Sequence, residues 1–433
     1  MSSPLIRVNN PQLQYQSVLA VPDDNIGAVK QLTNFFPIQA GSFSNQSLTR
    51  MEFNVVSDNA AAILAEHYLT FDMAVLNGST TVGVTAIVTG KADSWLSQIQ
   101  VQTFSGVPIY DSLPHGANLK SRIDQNMIIS NENKTMNWQS GLQNLGTADA
   151  SCTQLTSTPQ KFAIKLPAQF FRDIEAFPLP IIGGLRIILF LELDNVALAV
   201  EAPASGNYYQ ITNPVLKVPL VPYEQDYLQL LLKEAVEGHV LLDFGADFFY
   251  EYAAATNATN TVQVQKGFRW ANHVIEVQRL AGDYNTANKD YLGKAQYFGG
   301  LGDGNTSGGF LQIQAGSKNF PYNPITDDVT AWVELQKIYN IWNDNDQGNQ
   351  VTKARYQGAD VTGANQGSTG PLCIRGVDLT TCGEPFTGVD LNGSYMSIRL
   401  TTISSPASNY LDIFINFSNL LVLRSKQAVE LLN

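Results

Sequence analysis

Cysteine and histidine are scarce, with three and four residues in a chain of 433. Cys152, Cys373 and Cys382 are too few, and odd in number, for a disulfide framework, and they suit a reducing compartment. There is no Cys-x-x-Cys, and Cys373 and Cys382 have no histidine near them. His67, His115, His239 and His273 include no pair at helical metal-ligand spacing, so no metal centre is expected. Basic residues are also few: 26 Lys and Arg against 38 Asp and Glu give a net charge of −12. With no basic run, the chain lacks what tight binding of nucleic acid over its whole surface would need. No segment reaches the roughly 18 apolar residues of a membrane helix. The N-terminus, MSSPLIRVNNPQLQYQ, has no apolar signal core, so secretion is not expected. The several N-x-S/T sequons, for example at Asn45, Asn77, Asn257 and Asn392, are therefore expected to stay unmodified.

Catalytic motifs are missing too. Gly-x-Ser-x-Gly does not occur; GSTG at Gly367–Gly370 has Gln366 in place of the leading glycine. The glycine-rich stretch Tyr297–Gly309 fits neither the dinucleotide nor the phosphate-loop pattern. WNDNDQG, from Trp342, resembles a calcium loop in composition only: the register from Asn343 lacks the first Asp and ends on Ala354 instead of Glu. Two carboxylates suffice for glycoside cleavage, but no pair stands out, and Glu192 and Asp194, at a strand end, read as solvated charges. No catalytic, cofactor-binding or metal-ligating residue is assigned, and an enzyme is not expected.

What is present is a long series of short apolar strands. In FPLPIIGGLRIILFLELDN, from Phe177, the residues Leu185, Ile187, Leu189, Leu191 and Leu193 alternate with Arg186, Ile188, Phe190, Glu192 and Asp194. That pattern predicts a strand buried on one face throughout and on both faces in the middle. Gly183–Gly184 makes the turn into it, and Pro178 and Pro180 are expected to keep the approach from becoming helical. Strands are also predicted at 53–57, 68–76, 95–104, 162–166, 208–211, 215–218, 240–244, 261–265, 273–280, 310–314, 374–379, 396–401 and 411–417. Helices are expected at Gly116–Ile129, Glu224–Glu237 and Thr326–Trp342. The last has Thr326 as its cap and a stripe of Trp332, Leu335, Tyr339 and Trp342 that reads as core packing. Short strands separated by Gly, Asn, Pro and Ser loops define an all-β chain of sandwiches or barrels. A chain of this length holds two or three domains. The division expected here is an N-terminal arm at 1–45, sandwiches at 46–234 and 235–424 with about eight strands each, and a tail at 425–433.

Several blocks carry a resemblance in their order and spacing. They are SWLSQIQVQTFSGVPIYD (Ser94–Asp111) with the helix that follows, FAIKLPAQFFRDIEAFPLPIIGGLRIILFLELD (Phe162–Asp194) and YYQITNPVLKVPLVPYEQDYLQLLL (Tyr208–Leu232). In the second half they are FLQIQAGSKNFPYNPI (Phe310–Ile325) with its helix, LNGSYMSIRLTTI (Leu391–Ile403) and YLDIFINFSNLLVL (Tyr410–Leu423). Together these resemble the double jelly-roll major capsid proteins of the lineage that includes tectiviruses, adenoviruses, virophages and polinton-like viruses, over about residues 50–424. The resemblance implies two consecutive eight-stranded jelly rolls. It implies a homotrimeric, pseudo-hexagonal capsomer that tiles an icosahedral shell around a double-stranded DNA genome, assembled inside the host cell and resident in the virion. Implied partners are neighbouring capsomers and penton and minor or cement proteins, without sequence-specific nucleic acid; an internal membrane is left open. The nearly neutral arm is expected to bind neighbouring subunits or inner-shell components. The alternatives are a carbohydrate-binding or carbohydrate-cleaving jelly-roll protein, which would need an exposed aromatic platform or an acid pair, and another virion coat or spike protein.

Overall fold

The computed structural model describes residues 6–7, 30–77, 86–88, 92–128, 153–155, 157–199, 207–237, 240–254, 259–280, 301, 309–339, 374–380, 388–392, 394–401, 409–424 and 429–432. Sixteen strands build four principal sheets. In the first half they are β1 (Gln31–Phe35), β2 (Arg50–Val55), β3 (Tyr68–Asn77), β4 (Leu96–Thr103), β5 (Pro108–Asp111), β6 (Gln160–Ile164), β7 (Leu185–Leu191) and β8 (Asn207–Pro222). In the second half they are β9 (Val240–Ala254), β10 (Thr259–Val264), β11 (Ala271–Leu280), β12 (Phe310–Ala315), β13 (Lys318–Ile325), β14 (Ile374–Asp378), β15 (Met396–Thr401) and β16 (Asn409–Leu423). The helices used below are α1 (Gly116–Ile128), α2 (Gln169–Asp173), α3 (Gln225–Glu237) and α4 (Asp328–Ile338).

Hydrogen bonding places the first eight strands in the orders β1-β8-β3-β6 and β2-β7-β4-β5. The second eight stand in the orders β9-β16-β11-β14 and β10-β15-β12-β13. Adding eight to each label of the first half gives the second. Each half is thus a jelly roll, two four-stranded antiparallel layers of one Greek-key topology, and the chain is a double jelly roll. Short extra pairings extend the sheets: Ala60–Ala62 and Phe177–Pro178 beside β8, Ile6–Arg7 parallel to the start of β9, and Val429–Leu432 along the end of β16.

Strand β7 shows why the sequence folds this way. Leu185, Ile187 and Leu189 are fully buried between the layers, while Arg186 and Phe190 on the other face are half-buried. Their partners Val55, Phe53 and Met51 on β2 and Val101 and Ile99 on β4 are equally buried, so one apolar face fixes the register of three strands. The turn into β7 is the predicted glycine pair, with Gly183 at φ 75° and Gly184 at φ 129°. A Cβ on Gly184 would lie 2.6 Å from Val56 Cγ1 and 2.9 Å from the Val55 carbonyl, so only glycine lets β7 pass this close to β2. The approach differs from expectation: Leu179–Ile182 is one helical turn. Pro180 sits within that first turn, where a backbone N–H has no helical partner, so its ring is tolerated.

Other elements depart from the sequence pattern for identifiable reasons. The segments expected as two strands at 208–211 and 215–218 are one 16-residue strand. Its register shifts between Thr212 and Val215, where Asn213 has φ 51° and donates its side-chain amide to Asp72. Pro214 has no N–H for the ladder, so the bulge falls where a donor is missing. Strands β9 and β16 pair without interruption from Val240↔Leu423 to Ala254↔Asn409, well beyond the apolar cores that marked them. Strands β1 and β13, absent from the sequence reading, are peripheral and largely polar, and β5 closes the strand-turn-strand block at Ser94–Asp111 with Ile109 and Tyr110 in the core. Helix α4 is capped by Asp327, not Thr326: its carboxylate accepts from Thr330 N at 2.8 Å and from Thr330 Oγ1 at 2.7 Å.

The segment expected as an arm contributes to the fold. Gln31–Phe35 is the first strand of the first jelly roll, paired with Gln31↔Leu220 to Phe35↔Leu216. Phe43 is fully buried and exchanges backbone hydrogen bonds with Ile211.

Candidate assembly surfaces

Of the histidines and acids picked out in the sequence, His115, Glu192 and Asp194 meet at one corner, and His67 and His273 lie elsewhere. His67 is buried: Nδ1 donates to Leu64 O at 2.5 Å and Nε2 accepts from Leu166 N at 2.9 Å, with its ring 4.5 Å from that of Phe171. Both nitrogens are used in the neutral tautomer, and burial pushes its pKa down to about 4. His115, at φ 63° just before α1, meets Glu192 at 2.8 Å. Glu192, expected to be solvated, is only 1% exposed. Its other carboxylate oxygen accepts from Leu193 N, and its carbonyl accepts from Tyr209 Oη and Asn45 Nδ2. The pair joins the end of β7 to the entry of α1, and the Asn45 sequon side chain is engaged in the same corner. Asp194 accepts from Tyr209 N. His273 lies half-buried on β11. His239, Cys152, Cys373, Cys382, Asn257, the GSTG stretch and WNDNDQG lie outside the described residues, as does most of the glycine-rich 297–309. Among the described residues no three His, Cys, Asp or Glu are grouped so as to hold a metal ion, and no helix is long and apolar enough to cross a membrane.

The main concentration of unusual contacts is the seam between the halves. Helix α1 leaves the first jelly roll and lies on the outward face of the β9-β16-β11-β14 sheet. Leu119 and Ile123 pack there with Phe249, Phe414, Ile275 and Val277, beside Leu335 of α4. Helix α2 covers the adjoining part: the Phe170 ring meets Phe244 edge-on at 5.1 Å. Asp173 accepts from Gly245 N at 2.8 Å, and Gln169 accepts from Asn416 Nδ2 at 2.6 Å. A Cβ on Gly245 would come within 2.3 Å of the Gln169 amide, so glycine leaves room for that side chain on the strand.

Polar groups close the seam. Lys120 of α1 stands 3.1 Å from Asp124 and 3.5 Å from Asp247 of β9, and Tyr339 Oη donates to Asp124 at 3.2 Å. Desolvation lowers the Lys120 pKa, but the two carboxylates outweigh it and hold the group above the usual lysine value. A cleft of about 620 Å³ opens beside this network, lined by His67, Lys165 and Arg172 on the first half and Asp247 on the second. Lys120 reaches Asp247 across the boundary, while Arg172 stands 3.7 Å from Asp173 and Lys165 donates to Ala65 O within the first half.

A second surface stands out by its exposed apolar groups. At the edge of the β2-β7-β4-β5 sheet, whose outward strand positions are mostly polar (Arg50, Glu52, Asn54, Arg186, Gln98, Gln100 and Gln102), Val56 and Phe104 are exposed just past the ends of β2 and β4, and the chain just before β2 adds Phe36 and Ile38, 66% and 54% exposed. Alternation normally gives such a face polar residues. The corresponding sheet in the second half is likewise polar outward, with Thr261, Gln263, Ser397, Arg399 and Gln314. The cluster of exposed apolar groups at the sheet's edge is the usual mark of a protein–protein contact. Sequence reading missed both surfaces, because the helix periodicity of α1 showed an apolar stripe without saying which half it covers.

Two jelly rolls of one topology, mortised side by side in one chain and lacking a catalytic cluster among the described residues, define the double jelly-roll fold of viral major capsid proteins. Solved structures share that fold over nearly the whole chain. A chain of the Sputnik virophage, solved by cryo-EM, is 11% identical at a TM-score of 0.59, matching 96% of this chain and 93% of its own. The major capsid proteins of Faustovirus and mavirus are each 10% identical, at TM-scores of 0.55 and 0.51, and match 95% of this chain and more than nine-tenths of their own. No protein-family model matches the chain, and no curated protein matches it in sequence.

Proposed function

We propose that this chain is a viral major capsid protein, resident in the virion, whose work is self-assembly. Three copies associate as a homotrimer in which six jelly rolls form a pseudo-hexagonal tile, and tiles close an icosahedral shell around a double-stranded DNA genome. The observation that carries this reading is the eight-strand repeat in topology: two like modules joined at a fixed seam give a chain that supplies two sides of a hexagon. The capsid proteins of Faustovirus and mavirus have the same fold. A permanent trimer needs an interface of roughly 2,000–5,000 Å², more apolar than ordinary surface. Neighbouring capsomers, penton and minor proteins are the further partners. The proposed units run from β1 to α3 and from β9 to β16, which shortens the arm to about residues 1–30.

The test is native mass by light scattering with negative-stain images of the same peak. A species near three times 47.3 kDa with hexagonal outlines is expected. A monodisperse monomer would overturn the capsomer reading.

A further inference from the structure

The cleft at the seam has matched acids and under-occupied bases. Asp124 accepts from Tyr339 Oη at 3.2 Å and stands 3.1 Å from Lys120 Nζ. Asp247 accepts from Asn416 Nδ2 at 3.0 Å and stands 3.5 Å from the same lysine. With both carboxylates engaged in this way, the lining offers no free acid to a metal ion or an amine. The cations of the first half are less engaged. Lys165 donates to Ala65 O at 3.3 Å and has no carboxylate within 4.0 Å among the described residues. Arg172 has its chain neighbour Asp173 at 3.7 Å from Nε, and the other oxygen of that carboxylate accepts from Gly245 N. Both side chains line the cleft and are exposed. Together with Lys120 they set three bases against two acids in the lining. His67, also in the lining, adds no charge, since burial keeps it neutral. The cleft therefore holds a surplus of positive charge on a chain whose net charge is −12.

The segment 165–172 has a cation at each end and an apolar middle: Leu166, Pro167, Ala168 and Phe171 also line the cleft. A volume of about 620 Å³, walls that are largely apolar, a few polar groups and a place between two modules are the usual marks of a small-molecule site. We propose that this cleft binds a small organic monoanion, a carboxylate on an apolar body, with Lys165 and Arg172 holding the head and residues 166–171 holding the body. One negative charge neutralises the surplus, whereas a second would face Asp124 and Asp247 uncompensated. The planar guanidinium fork matches the two oxygens of a carboxylate. An occupant would lie against both halves, since Asp247 belongs to β9 and the other lining residues to the first half. Its binding would thus favour the docked arrangement of the two modules. The inference concerns a single chain and stands apart from the capsomer reading.

The test uses naphthoate as the probe and naphthylmethylammonium as its control, the same rings with the opposite head charge. Titration calorimetry of the full-length protein should show one naphthoate bound per chain and no saturable binding of the ammonium. The K165Q/R172Q variant, changed at two exposed positions, should melt as the wild type does without ligand and bind naphthoate about ten- to hundredfold more weakly. Lys165→Gln alone should show part of that loss. Naphthoate should also raise the melting temperature of the wild type and, at the same concentration, leave that of K165Q/R172Q unmoved. A wild type without saturable naphthoate binding overturns the proposal. So does equal binding of the two probes, which would mark an apolar patch with no site for an anionic head. A K165Q/R172Q protein that binds naphthoate as tightly as the wild type overturns it as well, because the probe then sits elsewhere.

Discussion

Single residues set two measurable properties. The imidazole of His67 is held neutral by burial and by its donor–acceptor pair. Its folded pKa of about 4 lies below the ordinary 6.5. The unfolded chain therefore binds the extra proton between these values and the folded chain does not. The stability His67 contributes is complete above about pH 6.5 and lost as pH falls through 4, a change of about 3 kcal/mol. Urea melts from pH 7 to 4 should show it, and His67→Gln should flatten the slope. The second case is the fully buried Arg375, 3.5 Å from Glu276 on the neighbouring strand, with burial raising the Glu276 pKa against the pull of the guanidinium. Glu276→Ala would remove that carboxylate from beside a buried guanidinium, and a loss of about 1–3 kcal/mol is expected in denaturant melts. A loss under 1 kcal/mol would mean the pair is not a structural one.

At the scale of elements, the corner before β7 is the position most sensitive to a small change. Gly184→Ala puts a Cβ against Val56 and the Val55 carbonyl at φ 129°, with both conflicts on the β2–β7 pairing. A loss of about 2–3 kcal/mol is expected, read as a lowered melting temperature with unchanged mass. Asp327→Ala at the α4 cap should cost about 1 kcal/mol. Elements were legible in the sequence where burial had one face. Strands β7, β3 and β15 and helices α1 and α3 showed their alternation or stripe, and their limits fell within a few residues of those expected. Elements failed to show where burial is slight. Strand β1, QLTNF, has no fully buried residue, and β13 holds only Ile325 in the core. Pairing to a long neighbour makes these segments strands, and pairing partners are not written in local sequence. Glu192 was misread for the related reason that a carboxylate at a strand end looks solvated until the corner that buries it is known.

For the whole molecule, the sheets show which parts can be removed. Among the described residues, deleting 1–29 takes away the two-residue pairing of Ile6–Arg7 with β9, whereas deleting 1–40 also removes β1 from its sheet. The shorter truncation should melt close to the full chain and the longer one clearly below it. Equal melting would show that β1 is dispensable. The strand order also has a consequence in time. All eight strands of the first jelly roll lie before residue 223, and all eight of the second lie after residue 239. At ~5–20 residues per second, synthesis of the remainder takes on the order of 10–40 s, long enough for the first module to close while the second is still being made. Through that interval Leu119, Ile123 and Phe170 have no second half to rest on. The nascent chain thus passes through a stage in which one finished module displays a sticky flank, and in a cell making this protein in quantity, ribosomes following one another on a message would bring such flanks together. Holding that flank apart until its own sister module emerges is a task for chaperones, and ribosome-bound chains ending near residue 237 should bind them more strongly than chains released at full length.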